Sequence, residues 1–392
     1  MAGLRLDIKR MRWTWLGLFF IALFMMIYLP ARHDITAWPE QPTSTSRSIR
    51  YYEESLKLPI KSYAKSSVPG MPSEQQTDLR NHYVGVAKAL NRKNYRAVNR
   101  HVLAILDYGR RDPYQFSLHD SLNFQSGMVT EIPYQYLVHR RINATPLVSV
   151  RSDAVNVIAG SLGAYGFGKD FWYDRNTSLA LLLCIGGMCV CFGDLFTNDY
   201  RRGTYTFVRT LPKSELGYHL KRATVLVIAI SLVFLLALVV AVAAIAADPD
   251  HALGDLRYPI ATVIKGDTVL IPIWQYFARW WLLVTLWAVF IAGLAFVFSH
   301  VSRSTVMCVF LLLVIAFSRQ LYLLQMIPAS LRTFLPVSFN VIPQLFYQAG
   351  DFGPMSTLCW AGTLIVWSLF LWGIGGIMIK FRTRATDEQK EH

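Results

Sequence analysis

The stretch "NDYRRGTYTFVRTLPKSELGYHLKR", residues 198–222, lies between two long apolar runs. Ahead of it stands "SLALLLCIGGMCVCFG" (178–193), and behind it "ATVLVIAISLVFLLALVVAVAAIAA" (223–247). It carries Arg201, Arg202, Arg209, Lys213, Lys221 and Arg222. A Lys or Arg at the centre of an inserted helix costs ~2.5–3.5 kcal/mol. The stretch is therefore not a span but a basic elbow joining two spans.

Composition supports that reading across the whole chain. Only 16% of residues are charged, against about 25% in soluble domains. Apolar segments of membrane-crossing length recur along the sequence. They predict six spans: Trp13–Pro30, Thr177–Gly193, Ala223–Ala247, Ile273–Phe298, Ser304–Gln325 and Leu358–Ile379. Arg5, Lys9, Arg10 and Arg12 precede the first, as in a signal peptide. Its apolar core is too long for one, and no Ala-x-Ala site follows, so it reads as an anchor.

Lys and Arg set the orientation. With the N-terminus cytoplasmic, the inner side collects the N-terminal basic residues, the elbow, Arg303, Lys380, Arg382, Arg384 and Lys390. The short outer loops hold only Arg257, Lys265 and Arg332. This positive-inside bias makes both termini and the elbow cytoplasmic in a multi-pass protein of the cell membrane, of bacterial type. The net charge of +14 follows largely from this topology, and no nucleic-acid partner is expected.

The predicted layout has three parts. Residues 1–30 form the cytoplasmic N-terminus and first span, and 31–172 form an outer domain. Residues 173–392 form a five-helix membrane region with the elbow at 194–222 and an outer Pro-rich segment at 326–357. The fold class is thus an all-α polytopic membrane protein, six transmembrane helices plus a mainly helical extracytoplasmic domain. In that domain Leu79, Tyr83, Val86, Leu90, Val98, Val102 and Ile105 recur at helical spacing, with a polar break at Asn91–Asn94. Residues 39–72, rich in Ser, Pro and Gln, read as extended or mobile. His33, His82, His101, His119 and His139 lack metal-ligand spacing and read as solvated or packed. The cysteines, Cys184, Cys189, Cys191, Cys308 and Cys359, lie in or beside spans and read as inert thiols. No catalytic, cofactor or metal site is expected.

Gly163-x-x-x-x-Gly168-Lys169 matches most of a phosphate-binding loop. The loop chemistry then needs a Ser or Thr hydroxyl on magnesium. This chain has Asp170, which repels phosphate. It reads as a turn leading back to the membrane.

Within the elbow, Asp199 can start a helix and Pro212 can stop one, so a short amphipathic helix at the inner surface is expected. The plain alternative is a linker whose basic residues face anionic lipid. An acidic residue, Gly203-Thr204, Leu211-Pro212-Lys213-Ser214 and Lys221 follow one another between spans two and three. This order resembles the cytoplasmic elbow of the ABC-type-two transporter permeases. That family is similar in having six spans, cytoplasmic termini and a large outer domain after the first span. A proline-broken outer segment like "MIPASLRTFLPVSFNVIPQLFYQAGDFGP" (326–354) is similar too.

The resemblance implies a permease subunit of an ATP-driven ABC exporter moving a peptide, lipid or drug-like amphipathic substrate. It implies no ATPase site here; ATP and magnesium would sit in a separate ABC ATPase dimer. A second permease copy or a paralogue would complete the path, in contact with membrane lipid. Phe196, Asp199, Tyr200, Gly203, Thr204, Phe207, Leu211 and Pro212 would couple to the ATPase, with Phe196, Tyr200 and Phe207 as aromatic anchors. Arg279 and Arg319 fall in the outer leaflet, either snorkelling to headgroups or lining the exit of the path. The competing function is a membrane-anchored sensor or scaffold whose outer domain binds a peptide or envelope component without transport.

Overall fold

A computed structural model describes residues 13–36, 44–65, 72–111, 131–164, 171–201, 203, 214–264, 267–302, 304–348, 352–353 and 355–391. Five of its helices are long and apolar enough to cross a membrane: α1 (Trp13–Thr36), α8 (Phe171–Arg201), α9 (Glu215–Ala246), α10 (Ile273–Val301) and α14 (Thr357–Glu391). This is a membrane protein. Helices α8 and α9 overrun the apolar windows at 177–193 and 223–247, because their polar last and first turns stay helical beyond them. Helix α10 is the hub, packing on α8, α9 and α14. Its Trp280 and Trp287 are fully buried. The helices meet closely where side chains vanish. A Cβ on Gly187 of α8 would stand 2.4 Å from the Phe19 ring of α1. Across α9 and α10, Ser231 and Thr285 share a hydrogen bond at 2.9 Å, the kind of polar link that serves between helices in lipid.

The fifth expected span is corrected. Helix α11 covers only Thr305–Ala316, 12 residues, about 18 Å of rise against a hydrocarbon core of ~30 Å. Past Ala316 the chain turns through Phe317–Tyr322, with Tyr322 left-handed at φ 59°. The cause is polar. Arg319 donates to the Ser338 carbonyl at 3.0 Å, and Gln320 accepts from Asn340 Nδ2 at 3.0 Å. A continued helix would point these groups elsewhere; the broken segment carrying α12 (Ala329–Arg332) and α13 (Ile342–Phe346) satisfies them. Among the described residues the chain therefore has five full-length apolar helices and one half-length one, not six equal spans.

Between α1 and α8 lie α2 (Thr45–Lys65), α3 (Ser73–Asn91), α4 (Tyr95–Arg111), α5 (Glu131–His139), α6 (Pro146–Ser152) and α7 (Ala154–Ser161). Leu79, Tyr83, Val86, Leu90, Val98, Val102 and Ile105 are all buried in one core with Tyr52 and Leu56. The break falls where expected: Lys93 turns left-handed at φ 51° between α3 and α4. One expectation fails. Residues 45–65, read as extended or mobile, form α2, whose Tyr52 and Leu56 give it an apolar face that composition obscured. His82 and His101, read as solvated or packed, pack on each other, with 3.0 Å between their Nδ1 atoms across the α3–α4 hairpin. An antiparallel hairpin, β1 (Pro259–Ile264) with β2 (Asp267–Pro272), stands among the described residues of an otherwise helical chain. Its β-branched run, Ile260 and Thr262–Ile264 facing Thr268, Val269 and Ile271, favours a pleated strand.

The helical domain seats on one end of the bundle. Tyr276 Oη and Trp280 Nε1 of α10 donate to the Leu162 carbonyl at 2.7 and 3.2 Å. Tyr347 Oη reaches the Gly163 and Ala164 carbonyls at 3.1 and 2.5 Å. Gly163, left-handed at φ 90°, ends α7, so the front of the phosphate-loop lookalike is a helix cap. Gly168, Lys169 and Asp170 lie outside the described residues. The loop after α9 completes the joint. Arg32 pairs with Asp248 at 3.1 Å, and Ala154 N and Val155 N donate to the Ala252 and Leu253 carbonyls.

Asp153 sits buried in this joint, with His251 Nδ1 donating to the neighbouring Ser152 carbonyl at 2.9 Å. Burial raises the Asp153 carboxyl to about 6, with hydrogen bonds from Ser149 and Ser152 pulling it partly back. An acid raised in the fold destabilises it increasingly as pH climbs from the unfolded value through about 6, by about 3 kcal/mol at full ionisation. Asp153→Asn is therefore expected to raise the thermal midpoint at pH 8 and leave it unchanged at pH 4, as read by thermal unfolding in mild detergent.

Candidate functional site

The end of the bundle opposite the helical domain is where α8 stops and α9 starts. Gly203, at φ 67°, lets the chain leave α8, and its N–H caps the helix on the Tyr200 carbonyl at 3.2 Å. Among the described residues no heavy atom comes within 4 Å of where its Cβ would be. Its left-handed backbone suits the turn that ends the helix. On the far side Ser214 caps α9, its Oγ accepting from Gly217 N at 3.2 Å. Each described foot of the elbow thus carries a cap.

Asp199 braces those feet. Its carboxylate takes a short bond from Arg222 Nη1, and both side chains are about nine-tenths buried. Arg222 also donates to Tyr218 Oη at 3.2 Å and lies over the Tyr218 ring at 5.2 Å. Asp199 does not start a helix, as its residue type suggested. It belongs to the last turn of α8, where a partner from α9 compensates its charge. Removing one member of such a pair strands a charge.

Phe196 is corrected as well. It is 1% exposed and packs among His219, Phe296 and Trp372, with ring centroids 5.6–6.2 Å away. A ring already buried in its own bundle gains nothing by docking, so Phe196 is a core residue and not an anchor. His219 is buried beside it. Its Nδ1 finds no hydrogen-bond partner among the described residues. Tyr200 is half-buried at the end of α8. Thr204, Phe207, Leu211 and Pro212, with the short amphipathic helix expected there, lie outside the described residues.

The foot is tied to the rest of the bundle. Thr197 Oγ1 bonds its own Gly193 carbonyl at 2.6 Å and meets Thr305 Oγ1, at the start of α11, at 2.7 Å. Phe296 of α10 stacks on Trp372 of α14 at 4.8 Å. One aromatic and ionic cluster therefore joins α8, α9, α10 and α14 directly beneath the elbow. Sequence reasoning missed Arg222 and His219. The available signal was an acid and a base of opposite sign at the facing ends of consecutive apolar helices.

Arg279 and Arg319 stand at the domain end. Arg279 is half-buried in α10 and interacts electrostatically with Tyr276 and Tyr347. Arg319 lies past the end of α11, so it does not snorkel from a span. Besides Ser338 it donates to Gln344 Oε1 at 3.2 Å and covers the Phe352 ring at 5.8 Å. Each arginine has its own set of partners.

Arg222→Gln is expected to destabilise the protein by about 3–5 kcal/mol, because it leaves the Asp199 carboxylate buried and unpaired. Asp199→Asn added to it should recover much of that loss. The check is a double-mutant cycle on thermal unfolding in detergent, where strict additivity would show that the pair is not coupled.

No protein-family model, no curated protein and no solved structure matches this chain.

Proposed function

We propose that this chain is the membrane-spanning subunit of an ATP-driven exporter of the ABC-type-two kind. The carrying observation is the Asp199–Arg222 brace beneath the elbow. A connection whose two feet are capped at Gly203 and Ser214 and stapled to each other passes a push from a partner directly into α8 and α9. From there Phe196, Phe296 and Trp372 pass it to α10 and α14. A flexible lipid-facing linker needs no such brace. In this reading the elbow end is cytoplasmic and the helical domain lies outside, consistent with Arg201, Lys221, Arg222 and Lys380 gathering at the elbow end.

ATP and magnesium belong to a separate ATPase dimer that docks on Tyr200 and residues 204–213. Two permease subunits enclose the path for an amphipathic or hydrophobic cargo. The motion requires two packed states that the ATPase biases differently. The domain end, with Arg279 near Tyr276 and Tyr347, lies where cargo would leave. From the elbow end at Thr305 the chain reaches the domain end through α11 and the broken segment after it, whose irregular backbone at that depth needs protein around it.

Apolar anchors in docked pockets typically cost about 2 kcal/mol or more on truncation, and exposed charges ~0–1 kcal/mol. Phe207→Ala or Leu211→Ala should therefore lower ATPase recovery at least about tenfold in a pull-down from mild detergent, normalised to permease. Lys213→Ala should change it little. Undiminished ATPase in both anchor variants sinks the docking role. Absence of any ATPase from the wild-type pull-down favours the anchored sensor, whose domain has its own core.

A further inference from the structure

Two turns of the helical domain lie side by side, and both are basic. One joins α3 to α4 and carries Arg92, Lys93 and Arg96; the other joins α5 to α6 and carries Arg140 and Arg141. Each pivots on a left-handed residue, Lys93 at φ 51° and Arg141 at φ 53°. Tyr95 N donates to Asn143 Oδ1 at 3.1 Å, and buried Asn99 donates through Nδ2 to the Ala144 carbonyl at 2.8 Å. These bonds fix one turn against the other. All five cations are exposed, and none pairs with a carboxylate among the described residues. Arg140 lies over the Tyr136 ring at 5.6 Å, an attraction that leaves its net charge in place. The sequence accounts for the lack of partners nearby in the chain. It carries no acid between Asp78 and Asp107, nor between Glu131 and Asp153.

The paired turns sit at the end of the domain that meets the bundle. Tyr95 interacts electrostatically with Asp153, buried in that joint, and Tyr136 does so with Arg257. Arg257 follows Leu256, whose carbonyl accepts from Trp274 N at 3.0 Å in the first turn of α10. Trp274 and Leu256 are both exposed, at 50% and 48%. An exposed Trp at the mouth of a span marks the boundary between hydrocarbon and headgroups. The five cations are thus displayed beside the headgroup layer. Charges of one sign on turns that are tied together sum their fields, and an anionic surface gains from all five at once. We propose that the α3–α4 and α5–α6 turns dock on the anionic headgroups of the bilayer that the chain itself crosses. The occupant is a lipid surface because Trp274 sets the membrane boundary next to the turns. The inference needs only a membrane-crossing chain, whichever side the domain occupies, and stands apart from ATPase docking.

The test uses the full-length protein in nanodiscs, where both membrane faces meet buffer. Amide hydrogen exchange of residues 91–96 and 139–145 is compared between phosphatidylcholine discs and discs enriched in phosphatidylglycerol. Phosphatidylglycerol should slow exchange at least about fivefold, and raising salt from about 0.1 M to about 1 M should abolish the difference. The triple variant Arg92→Gln, Arg96→Gln, Arg141→Gln should lose the difference at low salt, while its exchange in phosphatidylcholine discs matches the wild type. Arg80→Gln, about 16 Å up α3 from the turn, should keep it, which separates a local contact from a general effect of lost charge. Equal exchange in the two kinds of disc, or undiminished protection in the triple variant, would overturn the proposal. Soluble hexaglutamate protecting both turns in phosphatidylcholine discs as well as phosphatidylglycerol does would replace the lipid surface with an acidic peptide as the occupant.

Discussion

A carboxylate and a guanidinium, both about nine-tenths buried, hold together the end of the bundle where α8 stops and α9 starts. Removing two charges from water is expensive, and their attraction repays it only where geometry and further bonds are good. Here Tyr218 supplies the further bond and an aromatic face. Buried pairs commonly add little stability relative to an apolar packing of equal volume, and their best-attested use is to hold register. With Asp199 in the last turn of α8 and Arg222 in the second turn of α9, the two helices cannot slide or rotate without stranding a charge. The end of α8 and the start of α9 are therefore held at a fixed separation.

The opposite end uses neutral chemistry for the same purpose. Tyr276, Trp280 and Tyr347 grip the carbonyls of Leu162, Gly163 and Ala164, where α7 ends. These carbonyls would be unsatisfied at a helix C-terminus, so the bundle caps the helical domain. Helix α10 runs from that clamp at Tyr276 to the Phe296 cluster beneath the elbow. A single packed helix thus connects the domain seat to the elbow foot, which is the connection a coupled transporter needs.

Much of this was legible in the sequence, for physical reasons that differ by element. The five long helices announce themselves because apolar runs of that length have few alternatives. Leu79 to Ile105 gave the α3–α4 hairpin and its core, since helical periodicity with a polar break is a local signal. What stayed hidden depends on contacts distant in sequence. Helix α11 stops at Ala316 because Arg319 and Gln320 find partners at Ser338 and Asn340. His82 meets His101 from another helix, and Phe196 is buried by rings from α9, α10 and α14. That the basic stretch separates two apolar helices was readable from its charges, yet the brace at its feet pairs residues that no spacing rule connects.

The proposed function requires the elbow end to face the cytoplasm and the helical domain to face outward. Leu58 on α2 is 77% exposed and Ser214 is exposed at the elbow foot. Single cysteines at these positions, Leu58→Cys and Ser214→Cys, can be introduced with exposed Cys359 replaced by Ser. An impermeant maleimide added to intact cells should label the residue-58 variant and leave the residue-214 variant unlabelled until the cells are lysed. Labelling of the residue-214 variant in intact cells, with the residue-58 variant protected, would invert the protein in its membrane and contradict the account.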